Sequence, residues 1–139
     1  VEKTMKNTST YLNFDGNCRE AMEFYAKCVD GHLDLMPFSS APFDSPPEAK
    51  DRIVHARLTK GPFLLMASDT MPGHSFKPGN NFSISIECES IEETQKLFNS
   101  LGEAGQITMP LQDTFWGAYF GMITDKFGIN WMFNFTKPN

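Results

Sequence analysis

Apolar and polar positions divide the chain into short alternating stretches and two helical ones. Residues 9–14 (Ser-Thr-Tyr-Leu-Asn-Phe) have strand character and run into Asp15-Gly16-Asn17, which is turn chemistry leading to a helix. Asn17 followed by Glu20 has the spacing of a capping box, an acceptor at the N-cap and a carboxylate three residues on. Ala21, Phe24, Tyr25 and Cys28 recur at helical spacing, with Gly31 as the expected stop. A β-like segment then reaches about Phe38. Residues 39–47 hold three prolines and cannot form regular structure, so they predict either a mobile surface loop or a flap over a site. Between Arg52 and Thr59, Val54, Ala56 and Leu58 share one strand face, while Ile53, His55 and Arg57 share the other. Lys60-Gly61-Pro62 turns the chain, and Phe63 to Ala67 returns as strand.

A Pro/Gly/Asn-rich connection from Ser68 to Asn81 precedes a restart of the same pattern. Ser83, Ser85 and Glu87 form the polar face of a strand whose apolar face is Ile84, Ile86 and Cys88. Ser90 and Glu93 make a second capping box; Leu97, Phe98 and Leu101 supply the apolar stripe, and Gly102 closes the helix. Three further strands are expected at about 105–111, 118–124 and 129–135, the last two joined by Asp125-Lys126-Phe127-Gly128. Residues 9–68 and 82–135 therefore each read strand, helix, strand, strand, strand, an internal duplication within one 139-residue domain. The implied class is α+β, two βαβββ modules whose sheets carry a helix on one face and leave the other to enclose a cavity or meet a partner.

Charge narrows the function. Twelve Lys and Arg stand against 17 Asp and Glu, a formal net charge of −5. With no basic block to neutralise phosphates, neither nucleic acid nor an anionic membrane surface is an expected partner. No run approaches the roughly 18 apolar residues of a membrane span, and no apolar signal-peptide stretch opens the chain, so a cytoplasmic protein is expected. Cys18, Cys28 and Cys88 match no zinc spacing and are expected to be reduced. Thirteen Phe and eight Met are many for this length. Such residues fill cores, and they also line pockets and subunit interfaces.

Two segments resemble a known family. Residues 11–25 (Tyr-Leu-Asn-Phe-Asp-Gly-Asn-Cys-Arg-Glu-Ala-Met-Glu-Phe-Tyr) look like the opening of PhnB-like proteins, a branch of the glyoxalase, bleomycin-resistance and dioxygenase superfamily. Phe115-Trp116-Gly117 with Gly121 to Trp131 resembles that branch's closing signature. The resemblance implies a vicinal-oxygen-chelate fold, a homodimer and a pocket for a small organic molecule. In metal-dependent members of the superfamily His or Glu ligands come from equivalent strand positions, which fall here on Thr10, His55, Ser83 and Met132. Only His55 is a good divalent-metal ligand, so the standard metal is not expected; His55 with Glu87, or His74 from the nearby connection, is the alternative route to a metal. The branch also carries a demethylubiquinone methyltransferase label. An S-adenosylmethionine site of the Rossmann kind would call for a Gly-rich strand-to-helix turn, and no Gly-x-Gly occurs in this chain.

The candidate site residues follow. His55 and Glu87 are the acid/base candidates, each also readable as an ordinary structural histidine and a solvated carboxylate. Arg57, Ser83, Ser85, Trp116, Tyr119 and Met132 are the expected pocket lining: Arg57 for an anionic group, Trp116 and Tyr119 for stacking, Met132 for an apolar wall. The same aromatics can equally serve core or interface. The leading expectation is a binder of a hydrophobic or aromatic molecule without a cofactor. The competing one is an enzyme using His55 and Glu87 on an oxygen-rich substrate, with or without a divalent metal.

Overall fold

The computed structural model describes residues 5–138. The chain divides into two compact units, one through Phe76 and one from Lys77, and each is a βαβββ module. The first holds β1 (Thr10–Phe14), α1 (Cys18–Val29), β2 (His32–Pro37), β3 (Ile53–Lys60) and β4 (Phe63–Asp69). The second holds β5 (Ile84–Glu87), α2 (Ile91–Leu101), β6 (Gln106–Asp113), β7 (Ala118–Thr124) and β8 (Asn130–Thr136). Strand order is β1-β4-β3-β2 in one sheet and β5-β8-β7-β6 in the other, so the duplication read from the sequence extends to the connectivity. In both, the first and last strands of the module pair in parallel and the other pairs are antiparallel.

In the first unit α1 turns Cys18, Ala21, Met22 and Tyr25 onto the sheet, where they are buried with Leu12, Phe14, Ala56, Leu58, Leu65 and Ala67. The Asn17 capping box does not form: Asn17 is the N-cap residue, but its side chain makes no cap hydrogen bond. The carboxylate of Asp69 replaces it. Its Oδ1 accepts from the Gly16 amide at 2.8 Å and the Cys18 amide at 3.0 Å, and its Oδ2 accepts from the Ile53 amide at 2.8 Å. One buried side chain thereby satisfies orphan donors at a helix start and ties them to β3. The connection accordingly begins two residues later than expected, because Ser68 and Asp69 belong to β4.

Three other local expectations shift. The left-handed residue ending α1 is Asp30 (φ 54°), not Gly31. Glycine is needed at 31 for space: a Cβ there would lie 2.8 Å from Leu58 Cδ1 and 2.9 Å from the Thr59 carbonyl. Ile53 is fully buried with Ala56 and Leu58, because the β2–β3 pairing slips between Met36 and Pro37 and breaks the alternation. The 39–47 segment is irregular apart from single 3₁₀ turns at Phe38–Ser40 and Pro47–Ala49. Its base is held by Phe38 N to Arg52 O at 2.9 Å, and Phe43 packs edge-on against buried Phe38.

The second unit follows its sequence signals more closely. Ser90 Oγ accepts from the Glu93 amide at 3.0 Å, and Glu93 Oε1 returns a bond from the Glu89 amide at 2.9 Å. Phe98 of α2 stacks edge-on against Phe133 of β8, their ring centroids 5.5 Å apart. Gly121 makes that approach possible, since a Cβ there would sit 2.9 Å from Phe98 and 2.7 Å from Leu111. Buried Asp125 holds the β7–β8 turn through the Phe127 and Ile129 amides and receives Trp131 Nε1–H at 2.8 Å. No helix among the described residues is long and apolar enough to cross a membrane.

Candidate functional site

Alternation within each sheet decides which side chains face away from the helix. On the first sheet Tyr11, His55, Arg57 and Met66 do so. Tyr11 and Arg57 are both in register with Met66, one on either side of it; Arg57 also opposes Asp34, and His55 opposes Met36. The Tyr11 side chain crosses β4 to bring its hydroxyl 3.4 Å from His55 Nδ1, with the two rings 5.9 Å apart. Thr10 instead aligns with buried Leu65 and lies on the helix side.

On the second sheet the open face reads in two rows. Ser85, Met132 and Met122 are in register across β5, β8 and β7, and Glu87, Asn134 and Phe120 form the next row. Asn134 Nδ2–H donates to Glu87 Oε2 at 2.8 Å and to Thr136 Oγ1 at 3.3 Å, so the carboxylate is engaged at the sheet edge. Ser83 precedes β5 and is exposed. Trp116 lies in the β6–β7 hairpin turn and meets Phe120 edge-on at 6.1 Å, while Phe115 is 97% exposed at the tip. That turn is fixed by Thr114 N to Ala118 O (2.8 Å), Ala118 N to Thr114 Oγ1 (3.1 Å), and an ion pair between Lys137 and Asp113.

One expected wall residue moves. Tyr119 aligns with Phe135 on the helix-covered face, and its hydroxyl accepts from Gln95 Nε2 of α2 at 3.3 Å. The aromatic residue that faces the open side is its neighbour Phe120. Met66, Phe120 and Met122 were all within reach of sequence reading, because Phe120 and Met122 alternate with Gly121 and Ile123 on β7. Asp69 had no such signal, being more than 50 residues from the helix-start amides of Gly16 and Cys18.

The residues do not suit a divalent ion. Thr10 and His55 lie on opposite faces of one sheet and cannot share a metal, and Met132 is a soft thioether. Among the described residues no three of His, Cys, Asp and Glu are gathered as ligands would be. His74 sits in a turn of the connection, its amide bonded to the Met71 carbonyl at 3.1 Å. The β1–α1 turn, where a Rossmann-type fold would seat a methyl-donor nucleoside, is already occupied. The Arg52 guanidinium lies 3.3 Å from where a Gly16 Cβ would be, and Asp69 takes the helix-start amides.

Charges around that turn are strongly coupled. Arg52 Nη1 donates to Asp15 Oδ1 at 2.9 Å, and Thr70 Oγ1 donates to the same oxygen at 2.8 Å. Those two hydrogen bonds, Arg52 first, hold the Asp15 carboxyl below its ordinary value. Burial, reinforced by Asp69, pushes the Cys18 thiol up to about 12, and burial also raises Cys88. Neither is a nucleophile at neutral pH.

Comparison with known proteins agrees with this architecture. The family model described as 3-demethylubiquinone-9 3-methyltransferase matches residues 6–133. Protein YjdN of Escherichia coli (strain K12) is 33% identical, with 93% of this chain and 95% of YjdN covered. The crystal structure of protein PA1353 from Pseudomonas aeruginosa is 44% identical at a TM-score of 0.87, covering 96% of this chain and all of that one. A putative 3-demethylubiquinone-9 3-methyltransferase, PhnB protein, from Bacillus cereus is 26% identical at 0.76, covering 94% and 99%. A glyoxylase/bleomycin resistance protein/dioxygenase domain from Frankia shares the fold at 0.67 with 15% identity. Motifs, module topology and relatives together place the chain in the PhnB-like family, described as 3-demethylubiquinone-9 3-methyltransferase, with a fold shared by glyoxalase/bleomycin resistance/dioxygenase proteins.

Proposed function

We propose that this protein binds a small, largely apolar organic molecule on the open face of the β5–β8 sheet, without a divalent metal and without methyl transfer. The supporting observation is the apolar surface of Phe120, Met122 and Met132 turned away from α2, with Trp116 beside Phe120 and the polar Ser85 and Glu87–Asn134 pair beside it. Aromatic and thioether side chains give an adaptable apolar surface, and the amide–carboxylate pair can orient a polar substituent. The misfit of Thr10, His55 and Met132 to metal chemistry favours binding over chelation.

The active species is a homodimer. Phe115 and Ile107, 97% and 57% exposed, are large apolar side chains that a second copy would cover. Light scattering should give twice the chain's 15.7 kDa, and a monomer at micromolar concentration would remove that part of the proposal. A reducing cytoplasm suits the buried thiols of Cys18 and Cys88. The test of binding uses the neutral fluorescent probe N-phenyl-1-naphthylamine on chelator-treated protein. Saturable enhancement that added Zn²⁺, Mn²⁺ or Mg²⁺ leaves unchanged is expected; enhancement that appears only with metal contradicts the reading.

One observation favours an acid/base enzyme as a second reading: the Tyr11 hydroxyl beside His55 Nδ1, an arrangement able to set an imidazole tautomer. Chemical conversion of a bound compound that is abolished in His55→Gln would favour it. Unchanged compound recovered after binding would favour the binder.

A further inference from the structure

Among the described residues Arg57 has no counter-ion. It lies on the open face of the first sheet, exposed, and among the described residues it makes no ion pair or side-chain hydrogen bond. Asp34 stands directly opposite on β2, where a cross-strand pair would ordinarily form. Its carboxylate instead meets His32 Nε2 at 3.1 Å. Among the described residues nothing takes the five guanidinium donors of Arg57, which leaves them to a ligand or water.

His55 is two residues away on the same strand, so the two side chains rise from one face about 7 Å apart at their bases. In the tautomer in which the Tyr11 hydroxyl, 3.4 Å from Nδ1, donates to it, the ring carries its proton on Nε2 and keeps one donor for a ligand. Met66 lies between Tyr11 and Arg57 in register, and Met36 opposes His55 at 45% exposure, so both donors border an apolar floor. One permanent positive charge, one imidazole and two thioethers are matched by a planar monoanion joined to an apolar body. A tetrahedral dianion would want more positive charge than this face supplies.

We infer that the open face of the first sheet is a second ligand site, where Arg57 and His55 hold the carboxylate of a small organic acid and Tyr11 is a positioning residue that fixes the imidazole. The site is built from residues 11–66 alone, so it stands or falls separately from the apolar site on the second sheet.

The test is an NMR titration of ¹⁵N-labelled protein with benzoate, its neutral isostere benzamide, and inorganic phosphate. Benzoate should shift the Arg57 Nε–H and His55 ring signals saturably, with benzamide at least about tenfold weaker and phosphate unable to displace benzoate. Arg57→Gln should lose benzoate affinity by about tenfold or more, with its urea midpoint and its naphthylamine fluorescence unchanged. Tyr11→Phe should weaken benzoate severalfold and alter the His55 ring-nitrogen shifts that report the tautomer. Equal binding of benzoate and benzamide, displacement by phosphate, or wild-type benzoate affinity in Arg57→Gln would each overturn the inference. Naphthylamine fluorescence in the same Arg57→Gln sample reads the other site independently.

Discussion

The two modules share one strand order but anchor their frameworks with carboxylates at different places. In the first, Asp69 at the end of β4 reaches across to the start of α1 and to β3, doing the capping work that the local side chain of Asn17 does not. In the second, α2 is capped locally by Ser90 and Glu93, which leaves Asp125 to fasten the β7–β8 turn and the indole of Trp131. Their open faces differ as well. The first carries a phenol, an imidazole and a guanidinium; the second carries Phe120, Met122 and Met132. A duplicated backbone thus keeps its connectivity while side chains on the uncovered face diverge in chemistry, and function has to be argued from those side chains.

The largest expected effect comes from breaking the long-range cap. Asp69→Ala would strand three backbone donors, two at the helix start and one on β3, and should cost about 4 kcal/mol in urea unfolding. A loss below about 1 kcal/mol would mean that water replaces the carboxylate freely. In the second module, Trp131→Phe removes one donor to Asp125 while retaining most of the buried ring, and should cost about 2 kcal/mol by the same measurement. Cap removal separates the modules directly. Ser90→Ala should cost about 1 kcal/mol, whereas Asn17→Ala should stay within about 0.5 kcal/mol, because only the serine makes the cap bond. Equal losses at the two positions would erase the distinction.

The smallest effect is on the acid limb. Asp15 is held below its ordinary value by Arg52 and Thr70, so its folded pKa is lower than its unfolded one. Its contribution is therefore full above the unfolded value near 3.8 and is lost as pH falls through the folded value. Asp15→Asn should flatten the stability profile below about pH 4 and leave its slope unchanged near neutrality. A changed slope at neutral pH would show that another group governs this turn.

Legibility in the sequence followed the range of the interactions. Both helices, all eight strands and the duplication were visible, because periodicity and capping residues act over a few positions. The Ser90–Glu93 box formed as read, since no distant group competes for those amides. The Asn17 box did not, and Asp69, 52 positions away, holds the amides on either side of Asn17 instead. Ile53 was assigned the wrong face through a register slip at Met36/Pro37 that no local pattern announces. The candidate site was legible in part: His55, Arg57 and Met132 do face away from the helices, while Tyr119 turned under α2 and Phe120 took the open position. Which partner an exposed charge finds was not legible, as the choice of Asp34 for His32 over Arg57 illustrates.

The central claim is that the apolar open face of the second sheet, and not its counterpart on the first, holds the neutral, largely apolar ligand. The most direct measurement is the affinity of neutral N-phenyl-1-naphthylamine for Met132→Lys and Met66→Lys, two matched substitutions on the open faces of the two sheets. The account predicts a loss of about tenfold or more in Met132→Lys, where a charge enters the Phe120–Met122 surface, and near wild-type binding in Met66→Lys. Wild-type binding in Met132→Lys, or an equal loss in both, would contradict it.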